Sequence, residues 1–167
     1  CLGIHEMGRH MKKTHGNADA KFAQLPLTVI DTPAWRALSL SAQALFPWLL
    51  MEFKGKKYNN NGKISLSVRQ AAERMGVAKD TAAKAFRELQ AKGFIVVKKG
   101  ASLGVEGHGK CPEYEITFIA TLHKEASKLY LEWSEDEDFP IFAHPVKNPT
   151  GKSKPCHNSQ LNTSLIL

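Results

Sequence analysis

The stretch that decides the fold prediction is ISLSVRQAAERMGVAKDTAAKAFRELQAKGFIVVKK, which covers residues 64–99. Ser67 followed three residues later by Gln70 forms a capping box, and this motif predicts a helix beginning one residue after the serine. Gly76 is suited to the left-handed conformation that ends such a helix, so we expect the helix to cover 68–75. Its apolar side chains share one face: Val68, Ala71, Ala72 and Met75.

A second helix is predicted over 79–92, and Gly93 would end it. Its apolar positions repeat at the spacing of a buried face (Ala82, Ala85, Phe86 and Leu89), and the opposite face carries Asp80, Ala83, Lys84 and Arg87. The run 94–97 is apolar and β-branched, and residues 114–118 alternate as its hairpin partner. This order of elements is typical of a winged helix-turn-helix. We therefore predict an α+β fold: a three-helix core with a β-hairpin wing, and flexible N- and C-terminal segments.

Positive charge is concentrated in the same part of the chain. Residues 54–99 contain twelve Lys or Arg and three Asp or Glu, a balance of +9, whereas the whole chain carries +7. A basic surface on a motif that presents one helix indicates binding to double-stranded DNA. A plain helical hairpin would explain the periodicity equally well, but not the glycine turn followed by a basic helix. A winged helix used for protein contacts is the remaining alternative.

The residues ISLSVRQAAERMGVAKDTAAKAFRELQAKGFIVVKKG resemble the GntR-type winged helix. The pattern of that group is Leu-x-Ser-x-x-x-Leu/Ala-Ala-x-x-x-Gly-Val-Ser-x-x-Thr, followed by an arginine-rich helix and Gly-hydrophobic-Ile. The stretch is also similar to the helix-turn-helix domains of plasmid and phage replication initiators. In those domains a preceding helix begins with a Leu-Ser segment like the one at residues 38–41. The resemblance covers residues 38–120 and is specific at the level of the fold.

Carried over position by position, the resemblance implies base or phosphate contacts from five side chains of the second helix: Lys79, Asp80, Thr81, Lys84 and Arg87. It also implies a backbone contact near Ser67 and Arg69. Two positions depart from the pattern, since Ala83 stands where an arginine is common and Ala78 replaces the usual serine cap. Direct readout would then rest on fewer side chains than usual. A GntR regulator also carries a large effector domain after the wing, whereas about 47 residues follow it here.

Two basic loops flank this motif. The loop 54–63, KGKKYNNNGK, is a polar connection with a turn-forming Asn-Asn-Asn-Gly core, and its Lys56 and Lys57 could contact phosphates. The hairpin loop 98–112 contains four glycines and is longer than a tight turn requires. Its lysines would bring charge to phosphates or to the minor groove: Lys98, Lys99 and Lys110. A solvated loop without a role in DNA binding is the alternative in both cases.

The segment 22–53 is apolar and would complete the core. A Thr-Pro pair at 32–33 predicts a short helix over 33–37, because threonine caps helices and proline suits the first helical position. A longer helix, capped by Ser39 or Ser41, should follow and reach Phe53. The proline at its centre should kink it or leave one carbonyl without a partner. The side chains expected in the core, rather than in base stacking, are Trp35, Leu45, Trp48 and Leu49.

After the hairpin, apolar residues recur at helical spacing: Leu122, Ala126, Leu129, Tyr130 and Trp133. We predict an amphipathic helix over 121–133 that either packs on the domain or forms a dimer interface. An acidic cluster follows, which is a solvated end or folds back and competes with DNA: Glu132, Glu135, Asp136, Glu137 and Asp138. The chain thus divides into a flexible segment 1–21, a DNA-binding domain 22–120, the amphipathic helix, and an acidic and then polar disordered tail 134–167.

Composition limits the class of protein. With 167 residues, 43% of them apolar, the chain can bury one ordinary core. It contains no run of about 18 apolar residues, so we expect no membrane-spanning segment. The basic N-terminus has no apolar stretch behind it, so we expect no secretory signal. Three widely separated cysteines, Cys1, Cys111 and Cys156, suggest free thiols in a reducing cytoplasm.

Patterns of metal binding and catalysis are weak. His108, Cys111, Cys156 and His157 could in principle supply four zinc ligands, but the second pair is adjacent instead of spaced. The run Thr-Gly-Lys-Ser at 150–153 ends like a phosphate-binding loop but lacks the first glycine and a preceding strand. We therefore expect no enzyme activity, no metal and no cofactor.

The sequence as a whole predicts a cytoplasmic, sequence-specific protein that binds double-stranded DNA as a transcriptional regulator. The main alternative is a replication-initiation or maintenance protein of a plasmid, phage or integrative element, and the second is a winged helix for protein interaction. Because one winged helix reads only a few base pairs, we expect a homodimer. Its symmetric contact would use the segment 122–133 or the apolar region 22–38.

Overall fold

The computed structural model describes residues 22–103 and 109–142, which form an α+β architecture, the class that the sequence predicted. The predicted flexible segment 1–21 and the tail from residue 143 onward lie outside the described residues. The elements in chain order are α1 (Leu27–Ile30), α2 (Pro33–Arg36), α3 (Leu40–Met51), a 3-10 turn (Lys56–Tyr58), β1 (Ile64–Ser65), α4 (Val68–Met75), α5 (Lys79–Ala91), β2 (Ile95–Lys99), β3 (Ser102–Leu103), β4 (Gly109–Lys110), β5 (Glu113–Ile116) and a second 3-10 turn (Leu129–Leu131).

A three-stranded antiparallel sheet with the strand order β1–β5–β2 packs beside the helices. Ile64 of β1 lies opposite Tyr114 of β5, and Ile95 of β2 lies opposite Ile116 of β5. β3 and β4 pair further out on the same hairpin and form a separate two-stranded sheet. The hairpin that the sequence predicted is thus formed, with strand bounds shifted by up to two residues.

Helix α4 has the ends that its sequence predicted. The Ser67 hydroxyl accepts a hydrogen bond from the Gln70 backbone N–H, and the Gln70 side chain accepts one from the Ser67 backbone N–H. Gly76 ends the helix with φ 67°, in the left-handed region that glycine adopts without a Cβ penalty. The Val77 N–H then bonds to the Ala72 carbonyl at 3.0 Å, which satisfies one of the last carbonyl groups of the helix.

Helix α5 ends at Ala91, one residue earlier than the sequence predicted. Gly93 follows with φ 76°, and the N–H of Phe94 bonds to the carbonyl of Leu89 at 2.9 Å. The four apolar positions predicted for its buried face are all buried: Ala82, Ala85, Phe86 and Leu89. The predicted amphipathicity of α5 is therefore confirmed, and its polar face is left on the outside.

Helices α2 and α3 follow the predicted caps, whereas the short helix α1 was not predicted. The Thr32 hydroxyl accepts a bond from the Trp35 N–H at 3.2 Å, and α2 begins with proline directly after it. Ser39, rather than Ser41, is the N-cap of α3. This helix continues through Pro47, which lies on its exposed side.

Aromatic side chains form the centre of the core. Trp35, Phe46 and Phe94 meet edge to face, with ring centroids 5.5–5.6 Å apart. Tyr130 stacks on Phe94 at 5.2 Å. Trp48, which the sequence also assigned to the core, is half-buried at its edge. These contacts join α2, α3, the residue directly before β2 and the second 3-10 turn into one core.

The predicted amphipathic helix over 121–133 is not formed, so that prediction is wrong. Only the 3-10 turn Leu129–Leu131 interrupts irregular backbone there, and Lys128 before it has φ 51°, which an α-helix does not allow. Tyr130 and Trp133 are each buried in the core, but they do not belong to one helical face. The helical spacing of these side chains therefore reflects two separate insertions.

The beginning of the predicted disordered tail, residues 134–142, also differs from the expectation. Asp138 forms an ion pair with Lys92 at 2.8 Å, and the Phe139 N–H bonds to the carbonyl of Ala91 at 2.8 Å. The last carbonyl groups of α5 have no hydrogen-bond partner within the helix, and the segment 134–142 supplies a partner for one of them. The other acidic side chains of the cluster are exposed: Glu132, Glu135, Asp136 and Glu137.

Candidate nucleic-acid interface

The outward face of helix α5 carries three of the predicted basic site residues, with Asp80 as the acidic residue among them. Lys79, Lys84 and Arg87 are exposed, and no ion pair formed between described residues includes any of them. Thr81 and Ala83 are half-buried on the flanks of this face. The three cations are therefore available to an anionic partner.

Packing holds this face in a fixed orientation. α5 lies against both α3 and α4, and its Glu88 carboxylate accepts hydrogen bonds from the backbone N–H and the hydroxyl of Ser39, each at 2.6 Å. A carboxylate at a helix N-terminus is stabilised by the positive end of the helix dipole. Glu88 thus caps α3, and its carboxylate bonds to Ser39 and forms no ion pair with the three cations of α5.

Asp80 has a second explanation besides base contact. α5 begins at Ala78 and Lys79 without a side-chain cap, and Asp80 is the acidic residue in its first turn. A carboxylate at this position stabilises the helix N-terminus electrostatically. The predicted contact of Asp80 with a base stays a prediction, and the helix end accounts for the residue without it.

The predicted contacts of α4 are partly engaged within the protein. The hydroxyl of Ser67 donates to the Gln70 side-chain oxygen at 2.9 Å, and its backbone N–H bonds to the same oxygen at 3.1 Å. Arg69 lies 3.6 Å from Glu73 in an exposed pair one turn apart. Exposed pairs of this kind contribute little stability, so the Arg69 side chain can turn to another anion at low cost.

The hairpin lysines have acidic partners that the sequence reasoning missed. Lys98 pairs with Glu115 at 3.3 Å, and Lys99 pairs with Glu113 at 3.1 Å. The alternating sequence of β5 is a signal that these carboxylates could lie near the lysines. Only the register of the hairpin shows which groups meet. Lys110 is exposed, and the loop tip at 104–108 lies outside the described residues. The hairpin therefore adds less surplus charge than its lysine count suggests.

The basic loop 54–63 is tied down by its asparagines. Asn59 donates to the Ala120 carbonyl at 2.8 Å. Asn60 accepts from the Lys54 N–H at 2.8 Å and donates to the Glu52 carbonyl at 3.0 Å. These bonds join the loop to the end of α3 and to the segment after β5, so the loop is more than the solvated connection considered from sequence.

The tied loop presents its lysines at the surface. Lys56 and Lys57 are exposed on the 3-10 turn, and the Lys57 ammonium lies 5.3 Å from the centre of the Tyr58 ring. The turn-forming asparagines are a signal in the sequence, but their carbonyl partners lie up to 61 residues away. Spacing alone could not have shown these pairings.

A cleft of about 420 Å³ lies between α4, α5, the hairpin and the segment after Phe139. Arg87 lines it, and the Phe142 N–H bonds to the buried Gln90 side chain at 3.1 Å. Tyr114 lies at the same cleft, and burial raises the pKa of its phenol, so that it stays protonated. The sequence reasoning did not anticipate that the chain returns to α5 beside Gln90 and Arg87.

The structure gives no basis for a metal centre in the part of the chain it describes. Residues 22–103 and 109–142 contain no cluster of three His, Cys, Asp or Glu side chains that could hold a metal ion. Cys111 is exposed, whereas the other three proposed zinc ligands, His108, Cys156 and His157, lie outside the described residues, as does the Thr-Gly-Lys-Ser run. Among the described helices, none has the length and apolar character needed to span a membrane.

In comparison with known proteins, no protein-family model, no curated protein and no solved structure matches the chain.

Proposed function

We propose that this chain is a winged helix-turn-helix protein that binds double-stranded DNA, with α5 in the major groove. The observation that carries the proposal is the exposed face of α5, where Lys79, Lys84 and Arg87 have no acidic partner among the described residues. An anionic polymer with regularly spaced phosphates is the partner that such a face attracts.

The surrounding elements have supporting roles in this proposal. Helix α4 would brace α5 across the DNA backbone, with Arg69 near a phosphate. The tied loop would bring Lys56 and Lys57 to the backbone, and the hairpin would bring Lys98, Lys99 and Lys110. Lys84 and Arg87 would reach base edges or adjacent phosphates, since they lie near the middle of the outward face.

We propose a transcriptional regulator in the cytoplasm as the biological role. The replication-initiation or maintenance role predicts a different target, because origins contain repeated sites and promoters contain operators. Selection of bound fragments from the source genome separates the two roles. Repeated sites clustered at an origin would favour the initiator, and single or paired sites upstream of genes would favour the regulator.

The experiment that tests DNA binding is fluorescence anisotropy on labelled duplex DNA at salt concentrations of about 50 to 300 mM. We expect the logarithm of the association constant to fall linearly with the logarithm of salt, with a slope that reflects about four to eight phosphates per protomer. The triple variant Lys79→Gln, Lys84→Gln, Arg87→Gln should reduce that slope by about one for each of these side chains that contacts a phosphate, and so by about one to three.

The matched control is Lys124→Gln, an exposed lysine outside the basic region 54–99. It removes a positive charge without touching α5, so its slope should stay close to that of the unmodified protein. Absence of duplex binding at low salt would contradict the proposal and favour a winged helix used for protein contacts. Equal slopes for the triple variant and the parent would show that α5 is not at the DNA.

A further inference from the structure

A second cavity, of about 720 Å³, lies away from the outward face of α5. Its walls are the segment 22–26, the end of α3, the tied loop and residues 118–120. Apolar surface comes from Leu50 of α3 and from Phe53 just after it, and also from Phe118 and Ile119 after β5. Cavities of this size are typical of sites for small organic molecules.

The charge at this cavity has one sign. Lys54 and Lys56 line it, and no aspartate or glutamate is among its lining residues. Neither lysine belongs to an ion pair formed within 22–103 and 109–142. An apolar interior with two cations at the loop is complementary to a molecule that carries an apolar body and a negative group.

The wall that carries the cations is held in place. Asn59 is bonded to Ala120, which also lines the cavity, and the Lys54 N–H is bonded to Asn60. Gly55 between the two lysines has φ 84°, and a Cβ built there would meet no atom within 4 Å. The bonds of Asn59 and Asn60 thus order the loop before a ligand binds, which lowers the entropic cost of binding.

We propose that this cavity binds a small apolar anion, a carboxylate or sulfonate that carries a hydrocarbon or aromatic body. Lys54 and Lys56 hold the anionic group, and the apolar walls cover the body. Because Lys56 is also a proposed phosphate contact, the ligand and DNA compete for it. That competition rests on the proposed function, whereas the binding of the ligand does not.

The test uses the full chain without DNA and two fluorescent probes of similar shape. One is 8-anilinonaphthalene-1-sulfonate, which carries a sulfonate, and the other is N-phenyl-1-naphthylamine, which is uncharged. We expect both probes to bind. The double variant Lys54→Gln, Lys56→Gln should weaken binding of the sulfonate by about tenfold or more and leave the uncharged probe nearly unchanged, because only the sulfonate uses the cations.

Two further variants localise the site. Lys63→Gln removes an exposed lysine of the same loop that does not line the cavity, and it should leave both probes unaffected. Ala23→Trp fills space on the wall 22–26 and should weaken both probes, with retention of the thermal unfolding midpoint as the check on folding. Calorimetry with decanoate and decanol repeats the comparison with aliphatic bodies.

Three outcomes would overturn the proposal. The first is failure of both probes to bind, and the second is an equal loss of sulfonate binding in the double variant and in Lys63→Gln, which would indicate general attraction to a basic surface. The third is probe binding that disappears as light scattering shows dimer formation, because a second copy of the chain would then occupy the cavity. Since DNA is absent from every arm, each result is independent of the DNA-binding proposal.

Discussion

Asn61 and Ile116 exchange two hydrogen bonds at the end of the sheet. The Ile116 backbone N–H donates to the Asn61 side-chain oxygen at 2.7 Å, and the Asn61 amide donates to the Ile116 carbonyl at 2.9 Å. The next residue, Gly62, donates its backbone N–H to the Tyr114 carbonyl at 3.2 Å. The asparagine side chain therefore continues the backbone pairing of the two-residue strand β1 and anchors the loop that carries the basic side chains.

This relationship predicts a large effect of Asn61→Ala on stability. The substitution leaves the buried Ile116 N–H without its partner and removes the Asn61 amide from the carbonyls of Ile116 and Ile119, although the Ile116 carbonyl keeps the Ile119 N–H. The free energy of unfolding should therefore fall by about 1–3 kcal/mol. Asn60→Ala is the control, because its partners lie in a half-exposed loop where water can replace the amide, and we expect a loss of about 1 kcal/mol or less. Urea denaturation measures both, and equal losses would contradict the structural role of Asn61.

The two glycines that end α4 and α5 should respond differently to alanine. Gly76 has φ 67° and a Cβ there would meet no atom within 4 Å, so Gly76→Ala should cost only the left-handed strain, about 1–2 kcal/mol. At Gly93, with φ 76°, a Cβ would lie 2.8 Å from the Phe139 ring and 2.9 Å from the backbone nitrogen of Tyr130.

Gly93→Ala must therefore push away the chain that covers the end of α5, and we expect a loss of about 2–5 kcal/mol. Chemical denaturation of Gly93→Ala and Gly76→Ala in parallel measures the difference. A loss at Gly93 no larger than at Gly76 would show that the segment after Trp133 does not pack against α5.

Asp138 predicts a dependence of stability on acid pH. Hydrogen bonds from Lys92 and from the Trp133 indole hold the pKa of this carboxyl below its usual value of 3.8. A carboxyl whose pKa is lower in the folded state stabilises the protein above its unfolded pKa, and this contribution is lost as pH falls through the folded pKa. Asp138→Asn should therefore lower the thermal midpoint at neutral pH, and the difference from the parent should shrink below about pH 4.

Thermal unfolding followed by tryptophan fluorescence at several pH values measures that difference. Glu135→Gln, at an exposed position of the same cluster, controls for net charge. A constant difference between Asp138→Asn and the parent across the acid range would contradict the assignment.

The proposed DNA contacts are of two kinds: contacts with base edges, which recognise sequence, and contacts with phosphates, which position the protein. Lys84→Ala and Arg87→Ala on the outward face of α5 should each cost about 1–3 kcal/mol on a selected site and less on random DNA, if these side chains contact base edges. Lys56→Ala and Lys99→Ala should weaken both kinds of DNA alike, since a phosphate contact carries no sequence information. Anisotropy titrations compare the four variants, and equal losses for all four on both DNAs would mean that α5 does not read sequence.

Of the two apolar surfaces that the sequence offered for the predicted homodimer, the segment 122–133 loses part of its apolar face to the core. Tyr130 and Trp133 are buried within the chain, whereas Leu27 and Ile30 of α1 are exposed. We therefore expect the double variant Leu27→Gln, Ile30→Gln to be monomeric, and Leu122→Gln, also at an exposed leucine, to remain dimeric. Light scattering with and without DNA decides it, and a monomeric parent protein in both conditions would contradict the dimer.

The sequence by itself determined the helices around the motif and their buried faces. The capping box of Ser67 and Gln70, and the glycine that follows α4, are bonds between groups one turn apart, so they can be read from neighbouring residues. The burial of Phe86 and Leu89 likewise follows from helical periodicity, because every third or fourth residue shares a face.

Only the tertiary structure decided which polar groups meet across the chain. Glu88 caps α3 through Ser39, 49 residues away, and this pairing depends on how α5 packs against α3. Helical spacing of apolar residues predicted α5 correctly. The same spacing gave a wrong prediction after the hairpin, where Tyr130 and Trp133 enter the core separately. Local hydrogen bonds depend on a few consecutive residues, whereas burial and ion pairing depend on which distant surfaces come together, and that is settled only when the whole chain packs.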